Sequence, residues 1–322
     1  MSMVPMKKET AQTSLTEELR DVPGLKVRVG EPLARYTSIK IGGPADYFLE
    51  PEIRAALIQA LRLLDRYGIS FCILGKGSNV LVSDLGVRGA VLRLGGEFKQ
   101  IEWREKDREV LVAVGAAYAV TQLVRAAVRK GYSGLEFAEG IPGSVGGALA
   151  MNAGAYGSEM EKVVVQVEGV TQKGKPVQFD RAEMIFLYRD SHLPPGTIVT
   201  QVRMRLFRGE EEEAARRLRE LVARRKASQP AGNPNSGSMF RNPPGDFAGR
   251  LIEAAGLKGK KVGRAEISER HANFIINLGG ATAEEVRGLM EIARSEVEKK
   301  FAIRLEPEIR FLGEWPSRTG GN

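Results

Sequence analysis

Apolar residues recur at helical spacing in four stretches of the chain. The first lies within residues 51–67, where one apolar face is bounded by a proline and a glycine: Pro51, Ile53, Leu57, Leu61, Leu64 and Gly68. The same spacing predicts helices within residues 118–130, 247–255 and 282–297. Within residues 210–226, acids at the start and bases at the end favour a further helix, because they complement the helix dipole. Capping residues precede the last two of these five helices: Asp246 for the fourth helix, and the capping-box pair Thr282 and Glu285 for the fifth.

Short apolar runs between these helices are typical of strands. They occupy residues 71–74, 89–94, 110–114, 162–170, 197–207, 272–278 and 304–313. The mixture of elements predicts an α+β fold. The composition changes at residue 209, where a charged helix follows a strand, so we place a domain boundary near residue 208/209. Residues 1–19 are predicted to be a mobile N-terminal tail.

The composition is that of a globular protein of about two domains, with 322 residues, 43% of them hydrophobic and 27% charged. The net charge of +8 indicates either a solvated surface or attraction to an anion. Because only 7% of the residues are aromatic and acids lie among the bases, a phosphorylated small ligand is favoured over nucleic acid. One cysteine and two histidines leave little material for a metal site, and we expect none.

The sequence also bears on the cellular compartment. No segment approaches the about 18 uninterrupted apolar residues that a spanning helix needs, and residues 1–20 lack the apolar region of a signal peptide. A single cysteine suits a reducing environment. We therefore expect a cytoplasmic protein without membrane insertion.

Two loops are rich in glycine. The first, residues 75–79, lacks the third glycine of a dinucleotide-binding fingerprint, because position 80 is valine. The second is otherwise small and apolar, with Gly140, Gly143, Gly146, Gly147, Gly154 and Gly157. Such backbone suits a pyrophosphate or a flat ligand, because it combines N–H donors with little steric bulk. The structural alternatives are an ordinary glycine turn for the first loop and a tightly packed turn region for the second.

Six motifs, in order along the chain, resemble one known family. They are YTSIKIGGPADYF (Tyr36–Phe48), GSNVL (Gly77–Leu81), GIPGSVGGALAMNAGAYG (Gly140–Gly157), YRDS (Tyr188–Ser191), SGSMFRNP (Ser236–Pro243) and LEPEIRFLG (Leu305–Gly313). The glycine loops are similar to those of flavin-binding proteins of the vanillyl-alcohol-oxidase (PCMH) type. The whole set resembles the UDP-N-acetylenolpyruvoylglucosamine reductase family of peptidoglycan (cell wall) synthesis.

The resemblance implies a two-lobed FAD-binding region over residues 20–208, with lobes near 20–100 and 101–208, and a C-terminal α+β substrate-binding domain over 209–322. It implies FAD and, as the reductant, NADPH. We expect the FAD to be noncovalent, because neither glycine loop contains a histidine or a cysteine. The implied FAD-binding residues are Gly75, Lys76, Gly77, Ser78, Asn79, Val80, Gly140, Ile141, Pro142, Gly143, Ser144, Gly147, Asn152, Ala155, Tyr156 and Gly157.

The family's reaction reduces the enolpyruvyl ether of UDP-N-acetylenolpyruvoylglucosamine to UDP-N-acetylmuramate. Hydride from flavin N5 adds to the terminal carbon, and negative charge spreads into the substrate carboxylate. The reaction needs groups that hold this charge and a donor that supplies a proton. The resemblance assigns the first task to Arg189 and Glu308, and the second to Ser238. Burial in the predicted C-terminal strand would favour the neutral, donating form of Glu308.

Substrate-binding positions follow from the same resemblance. Lys226, Asn242 and the adjacent Arg241 match the region of the diphosphate and sugar, and His271 matches the uridine end. Each has a structural alternative, such as a solvated helix end for Lys226. Only 37 positions separate Arg189 from Lys226, so the chain resembles the shorter subgroup that lacks a tyrosine-bearing loop over the substrate.

Two other functions stay open on the sequence. One is a flavoprotein oxidase of the same flavin-binding type, against which the SGSMFRNP and LEPEIRFLG motifs argue. The other is a basic protein that binds nucleotides or nucleic acid, which would be colourless when purified.

Overall fold

A computed structural model describes residues 13–230 and 232–316 and confirms the mixture of helices and strands. These residues form two compact units. The first unit contains residues 13–29, 47–75 and 89–222, and the second contains residues 30–46, 76–88 and 223–316. The predicted domain boundary near residue 208/209 differs from this division and stays a prediction.

Seven α-helices occur in the described ranges. They are α1 (residues 13–20), α2 (Arg54–Arg66), α3 (Val120–Arg129), α4 (Val145–Ala150), α5 (Glu211–Ser228), α6 (Ala248–Ala254) and α7 (Ala283–Phe301). The helices predicted from spacing are confirmed, with ends displaced by a few residues. None of these seven is long and apolar enough to cross a membrane.

The same described residues contain twenty strands. They are β1 (Leu25–Pro32), β2 (Pro44–Pro51), β3 (Phe71–Ile73), β4 (Val80–Val82), β5 (Val87–Leu92), β6 (Ile101–Lys106), β7 (Glu109–Gly115), β8 (Tyr132–Ser133), β9 (Gly154–Ala155), β10 (Ser158–Glu159), β11 (Val164–Thr171), β12 (Pro176–Asp180), β13 (Ile185–Leu187), β14 (Asp190–His192), β15 (Thr197–Arg208), β16 (Asn235–Ser238), β17 (Lys261–Val262), β18 (Ala265–Ile267), β19 (Phe274–Asn277) and β20 (Arg310–Leu312).

The first unit has two apolar clusters. One lies around α2 and most of a four-stranded sheet of order β1-β2-β5-β3. The other lies around α3, α4 and an antiparallel sheet of order β12-β11-β15-β7-β6, to which β8 adds at β15. The clusters meet closely, since a Cβ on Gly115 would lie 2.1 Å from the Phe98 carbonyl oxygen.

The second unit packs α6 and α7 on a sheet of order β16-β19-β18-β17, and β20 pairs in parallel with β4. The predicted capping box of α7 is confirmed. Thr282 Oγ1 accepts from the Glu285 amide at 3.2 Å, and the Glu285 carboxylate accepts from the Thr282 amide at 3.1 Å. The carboxylate of Asp84 accepts from the next two amides, so the start of α7 also holds the loop after β4.

Two local predictions in this unit are wrong. Phe247, not Asp246, is the N-cap residue of α6. Asp246 instead pairs with Arg250, and this hydrogen bond lowers the pKa of Asp246 to about 2. The C-terminal strand predicted over residues 304–313 is regular only in β20, because Pro307 forms an isolated bridge with Phe240 whereas β20 pairs with a different strand, β4.

The prediction of a mobile tail up to residue 19 is also wrong for residues 13–19; residues 1–12 lie outside the described residues. Leu15 and Leu19 of α1 are buried with α2 in the first unit, at 1% and 0% exposure. The Ser14 and Tyr67 hydroxyls lie 2.9 Å apart, and Tyr67 donates to Glu18. Leu15 and Leu19 are four positions apart, which is a helical spacing. A single such pair is too short a pattern to predict a helix.

We predict that Leu19→Ala destabilises the first unit by about 2–5 kcal/mol, the usual cost of a cavity at a fully buried leucine. Denaturant unfolding measures the change. Glu17→Ala, on the exposed face of the same helix, is the matched control and should change stability little. Equal, small effects of the two substitutions would mean that α1 does not contribute to the core.

Candidate active site

The second glycine loop packs against the start of α3 in the first unit. Val145 and Gly146 donate backbone hydrogen bonds to Tyr118 and Ala116, at 2.9 and 2.8 Å. Ser144 caps α4, its Oγ accepting from the Gly147 amide at 3.4 Å. The loop is therefore a fixed part of the first unit.

Several of the glycines are explained by contacts with protein. A Cβ on Gly75 would lie 2.6 Å from Ser144 Oγ, so the end of the β3 segment and the second loop approach each other. A Cβ on Gly146 would lie 3.0 Å from the Ala116 Cβ, and one on Gly154 would lie 2.5 Å from the Ser158 carbonyl oxygen. Gly157 faces open space, with no atom within 4 Å of its Cβ position. Tight packing thus accounts for part of the pattern, and the open position at Gly157 leaves room for a ligand.

The remainder of the first loop, residues 76–79, belongs to the second unit. Gly77 has a φ of +65°, and its Cβ would lie 2.1 Å from the Tyr36 carbonyl oxygen. The Asn79 side-chain amide donates to the Glu308 carbonyl oxygen at 3.1 Å, and Ser236 Oγ donates to the Val80 carbonyl oxygen at 3.0 Å. The structure therefore joins this loop to the segments that carry Ser238 and Glu308.

Those two segments are hydrogen-bonded neighbours. The Glu308 amide donates to the Met239 carbonyl at 2.8 Å, and the Met239 amide donates to the Asn273 carbonyl at 2.8 Å. Ser238 pairs with Phe274 after a β-bulge at which Gly237 has a φ of +75°. Both Ser238 and Glu308 are half-buried.

Asn273 was missed by sequence reasoning. Its side chain is buried, and it brackets Phe240: Oδ1 accepts from the Phe240 amide at 2.9 Å, and Nδ2 donates to the Phe240 carbonyl at 2.8 Å. The only signal was a polar residue at the start of the apolar run that forms β19. Asn273 holds the backbone that follows Ser238.

Arg189 lies in the first unit, in the two-residue turn between β13 and β14. Its φ of +58° is in the left-handed region. The guanidinium carbon lies 5.0 Å from the centroid of the Tyr188 ring, a cation–π contact. Arg189 and the pair Ser238 and Glu308 thus belong to different compact units.

The remaining predicted residues have varied surroundings. Asn242 Oδ1 accepts from the Ala248 amide at 3.1 Å, so its carbonyl group serves the first turn of α6. The Arg241 amide donates to the Glu306 carbonyl at 2.9 Å. Tyr156 is exposed, and its hydroxyl donates to the Leu221 carbonyl oxygen at 3.3 Å. The Lys226 side chain lies outside the described residues.

His271 is a half-buried imidazole. Its Nδ1 accepts from the Asn273 amide at 3.3 Å, and its ring lies edge-on to Phe274, with centroids 4.9 Å apart. Burial lowers the pKa of His271 from its ordinary value of 6.5, so the neutral form is favoured. With Nδ1 as acceptor, the proton is on Nε2.

Comparisons with known proteins decide the family. Residues 229–312 match the family described as UDP-N-acetylenolpyruvoylglucosamine reductase, C-terminal domain, and residues 45–180 match an FAD binding domain. A UDP-N-acetylenolpyruvoylglucosamine reductase of Symbiobacterium thermophilum is 46% identical over 94% of this chain and 98% of its own length. One from Rubrobacter xylanophilus is 45% identical over 88% of this chain and 94% of its own length.

The chain belongs to the UDP-N-acetylenolpyruvoylglucosamine reductase family. The crystal structure of the reductase from Thermus caldophilus matches it with a TM-score of 0.78 and 40% identity, over 89% of this chain and 98% of that one. A BBE-like protein of Physcomitrella patens matches with a TM-score of 0.53 and 14% identity over 88% of each chain, which shows the shared fold alone. The protein is an FAD-dependent oxidoreductase, as the resemblance implied.

The residues of the first unit fit FAD. Glu139, directly before the second glycine loop, is 2% exposed; one carboxylate oxygen lies 3.1 Å from an Arg125 nitrogen. The other, Oε2, is buried without a hydrogen-bond partner among the described residues. A buried acceptor needs a donor, and FAD carries hydroxyl and N–H groups. Glu139 was missed as well; an acid among apolar neighbours was its only signal.

We predict that Gly75→Ala weakens FAD binding by up to ~10-fold, or about 1.4 kcal/mol, because the new Cβ would displace Ser144 Oγ, which caps α4. Titration of the apoprotein with FAD, followed by flavin fluorescence, measures the change. In a Ser144→Ala background the collision is absent, so adding Gly75→Ala should cost little. The same loss in both backgrounds would mean that Gly75 acts on FAD by another route.

We also predict that His271 titrates below pH 6.5, in contrast to an ordinary histidine. Its NMR signal is assigned by its loss in His271→Gln. As the pH falls, the unfolded chain protonates its histidine before the folded protein protonates His271. The stability that neutral His271 contributes is therefore complete above pH 6.5, and it is lost as the pH falls through the lower pKa of the folded protein. A midpoint at or above 6.5 would contradict the burial argument.

Proposed function

We propose that this protein reduces the enolpyruvyl ether of UDP-N-acetylenolpyruvoylglucosamine to UDP-N-acetylmuramate for peptidoglycan synthesis. NADPH is the reductant, and the reaction takes place in the cytoplasm. The observation that carries the proposal is the network of the second unit, in which Asn79 contacts Glu308 and Glu308 contacts Met239 beside Ser238. It links the first glycine loop to two residues suited to charge stabilisation and proton transfer. The names of the relatives support the same substrate.

Arg189 and Glu308 act on the substrate carboxylate. When bound, FAD supplies the hydride that adds to the terminal carbon of the enol ether. The neighbouring carbon then gains negative charge, which spreads into the carboxylate as an enolate. The planar guanidinium of Arg189 suits bidentate binding of that group. A protonated Glu308 would donate a further hydrogen bond to the same charge.

Ser238 supplies the proton to the carbon that carries the charge. A serine hydroxyl is a weak acid, so it can protonate only a strongly basic centre such as this enolate. Ser238 lies between Gly237 and the hydrogen-bonded backbone of Met239, so the position from which its hydroxyl extends is defined. The half-buried position limits competing water.

FAD is held without a covalent bond. Neither glycine loop offers a histidine or cysteine. Cys72, in β3, is the single cysteine of the chain, and burial raises the pKa of its thiol to about 11. A neutral thiol is a poor nucleophile, so Cys72 is unsuited to attach a flavin. The match to the reductase C-terminal domain also supports this reaction over that of an alcohol oxidase.

We predict that Ser238→Ala separates the two halves of the reaction. Reduction of the flavin by NADPH needs no proton from Ser238 and should stay near the wild-type rate. Oxidation of the flavin by the enolpyruvyl substrate should slow at least ~100-fold, the low end for loss of a positioned acid. Stopped-flow absorbance under anaerobic conditions follows each half separately.

Ser238→Cys is the matched variant, because a thiol of similar size can also donate a proton and should recover part of the rate. Normal turnover of Ser238→Ala would assign the proton to another group.

A further inference from the structure

The turn that carries Arg189 belongs to a hairpin without a larger sheet. Strands β13 and β14 pair only with each other among the described strands. Ile185, Leu187 and Tyr188 are exposed by 61%, 51% and 49%, so burial on the outer side contributes little. A two-stranded hairpin is marginally stable alone. Its position must therefore depend on contacts made from outside its ladder.

Asn152 provides one of these contacts. The residue is 0% exposed and follows α4. Its Nδ2 donates to the Leu187 carbonyl at 3.1 Å, and its Oδ1 accepts from the Glu161 amide at 3.0 Å. One neighbour is an acceptor and the other a donor, and the amide side chain satisfies both at once through its separate Nδ2 and Oδ1 atoms. The side chain of Asn152 thus bonds to protein backbone on two sides, and the FAD-binding role that the resemblance implies for this residue stays a prediction.

A second contact lies on the other strand of the hairpin. Ser191 Oγ donates to the Leu149 carbonyl oxygen in the last turn of α4, at 2.7 Å. Leu187 and Ser191 flank Arg189 by two residues on each side. The turn is therefore held at both ends to the C-terminal end of one short helix.

The backbone of Arg189 makes these contacts necessary. Its φ of +58° is unfavourable for a residue other than glycine, and such a conformation persists only where its surroundings impose it. The same helix begins at Ser144, in the second glycine loop. The site of Arg189 and that loop are thus joined through α4.

We propose that Asn152 is a positioning residue for Arg189: its amide holds the β13–β14 turn to α4, so that the guanidinium keeps a fixed place relative to the second glycine loop. This proposal rests on the proposed role of Arg189 at the substrate carboxylate. The loss of Asn152 would displace Arg189 without removing any group that touches the substrate.

The test compares Asn152→Asp and Asn152→Gly in the FAD-loaded protein. The first keeps the acceptor for Glu161 but loses the donor to Leu187; the second removes both bonds and tolerates the φ of +38° at this position. Both should slow flavin oxidation at saturating substrate by at least ~10-fold, since small displacements of reacting groups can cost about 100-fold. Flavin reduction by NADPH should be affected much less than flavin oxidation, because Arg189 has no part in it.

Thr200→Val is the matched control. Thr200 is equally buried in the first unit, and its hydroxyl donates to the Glu168 carbonyl at 3.2 Å, away from the hairpin. This substitution should lower the melting temperature and leave flavin oxidation unchanged. Circular dichroism and FAD retention report folding for every variant.

A double-mutant cycle separates positioning from a general structural role. If Asn152 acts through Arg189, then Asn152→Gly should cause no further loss of oxidation rate in an Arg189→Ala background. The proposal would be overturned if the losses of oxidation rate from Asn152→Gly and Arg189→Ala multiplied. It would also be overturned if both Asn152 variants oxidised the flavin at the wild-type rate, or if both failed to fold where Thr200→Val folds. Should Arg189→Ala itself oxidise the flavin normally, the proposed function of Arg189 would fall first, so the two failures are distinguishable.

Discussion

Buried asparagine side chains hold the short segments on which the candidate site depends. Asn152 fixes the turn of Arg189, and Asn273 brackets the backbone after Ser238. Each such amide uses a donor and an acceptor at once, which apolar side chains of the same size cannot do. Since a buried polar group left unpaired costs about 1–3 kcal/mol, each asparagine also selects one arrangement of its neighbours. Segments with little regular pairing thereby keep defined positions.

These segments carry the groups that the proposed reaction would use. In the second unit, the Asn79 amide reaches the Glu308 carbonyl, and Glu308 in turn is bonded to the backbone beside Ser238. An acid and a weakly acidic hydroxyl thus share one hydrogen-bonded frame with part of a glycine loop. In the first unit, the second loop contributes close-packed glycines and the buried oxygen of Glu139. The proposed reduction of an anionic enol ether would use both kinds of surface.

Local patterns predicted the regular part of the fold well. The helices α2, α3 and α7 follow from apolar spacing and, for α7, from a capping box that forms as expected. Helix α1 was not predicted, because the burial of Leu15 and Leu19 depends on packing against α2, which the local sequence does not show. The last strand is shorter than the apolar pattern predicted, because Pro307 bridges to Phe240 and only β20 pairs with β4, a change of partner that the sequence does not reveal.

The candidate site was less accessible to sequence reasoning. Family motifs pointed to Arg189, Ser238 and Glu308, yet Asn152, Asn273 and Glu139 owe their parts to burial beside particular backbone groups. The spacing of residues along the sequence does not predict which backbone groups will lie beside a single buried amide side chain. The glycine loops show that protein packing also demands glycine, since a Cβ on Gly75 or Gly154 would meet protein atoms.

The most direct test of the central claim is an anaerobic turnover of the FAD-loaded protein. The flavin is first reduced with NADPH, then UDP-N-acetylenolpyruvoylglucosamine is added while the visible flavin absorbance is recorded. The account predicts that the absorbance returns without oxygen, in proportion to the substrate added, and that the sugar nucleotide becomes heavier by two hydrogens. Flavin that stays reduced until oxygen is admitted would contradict it.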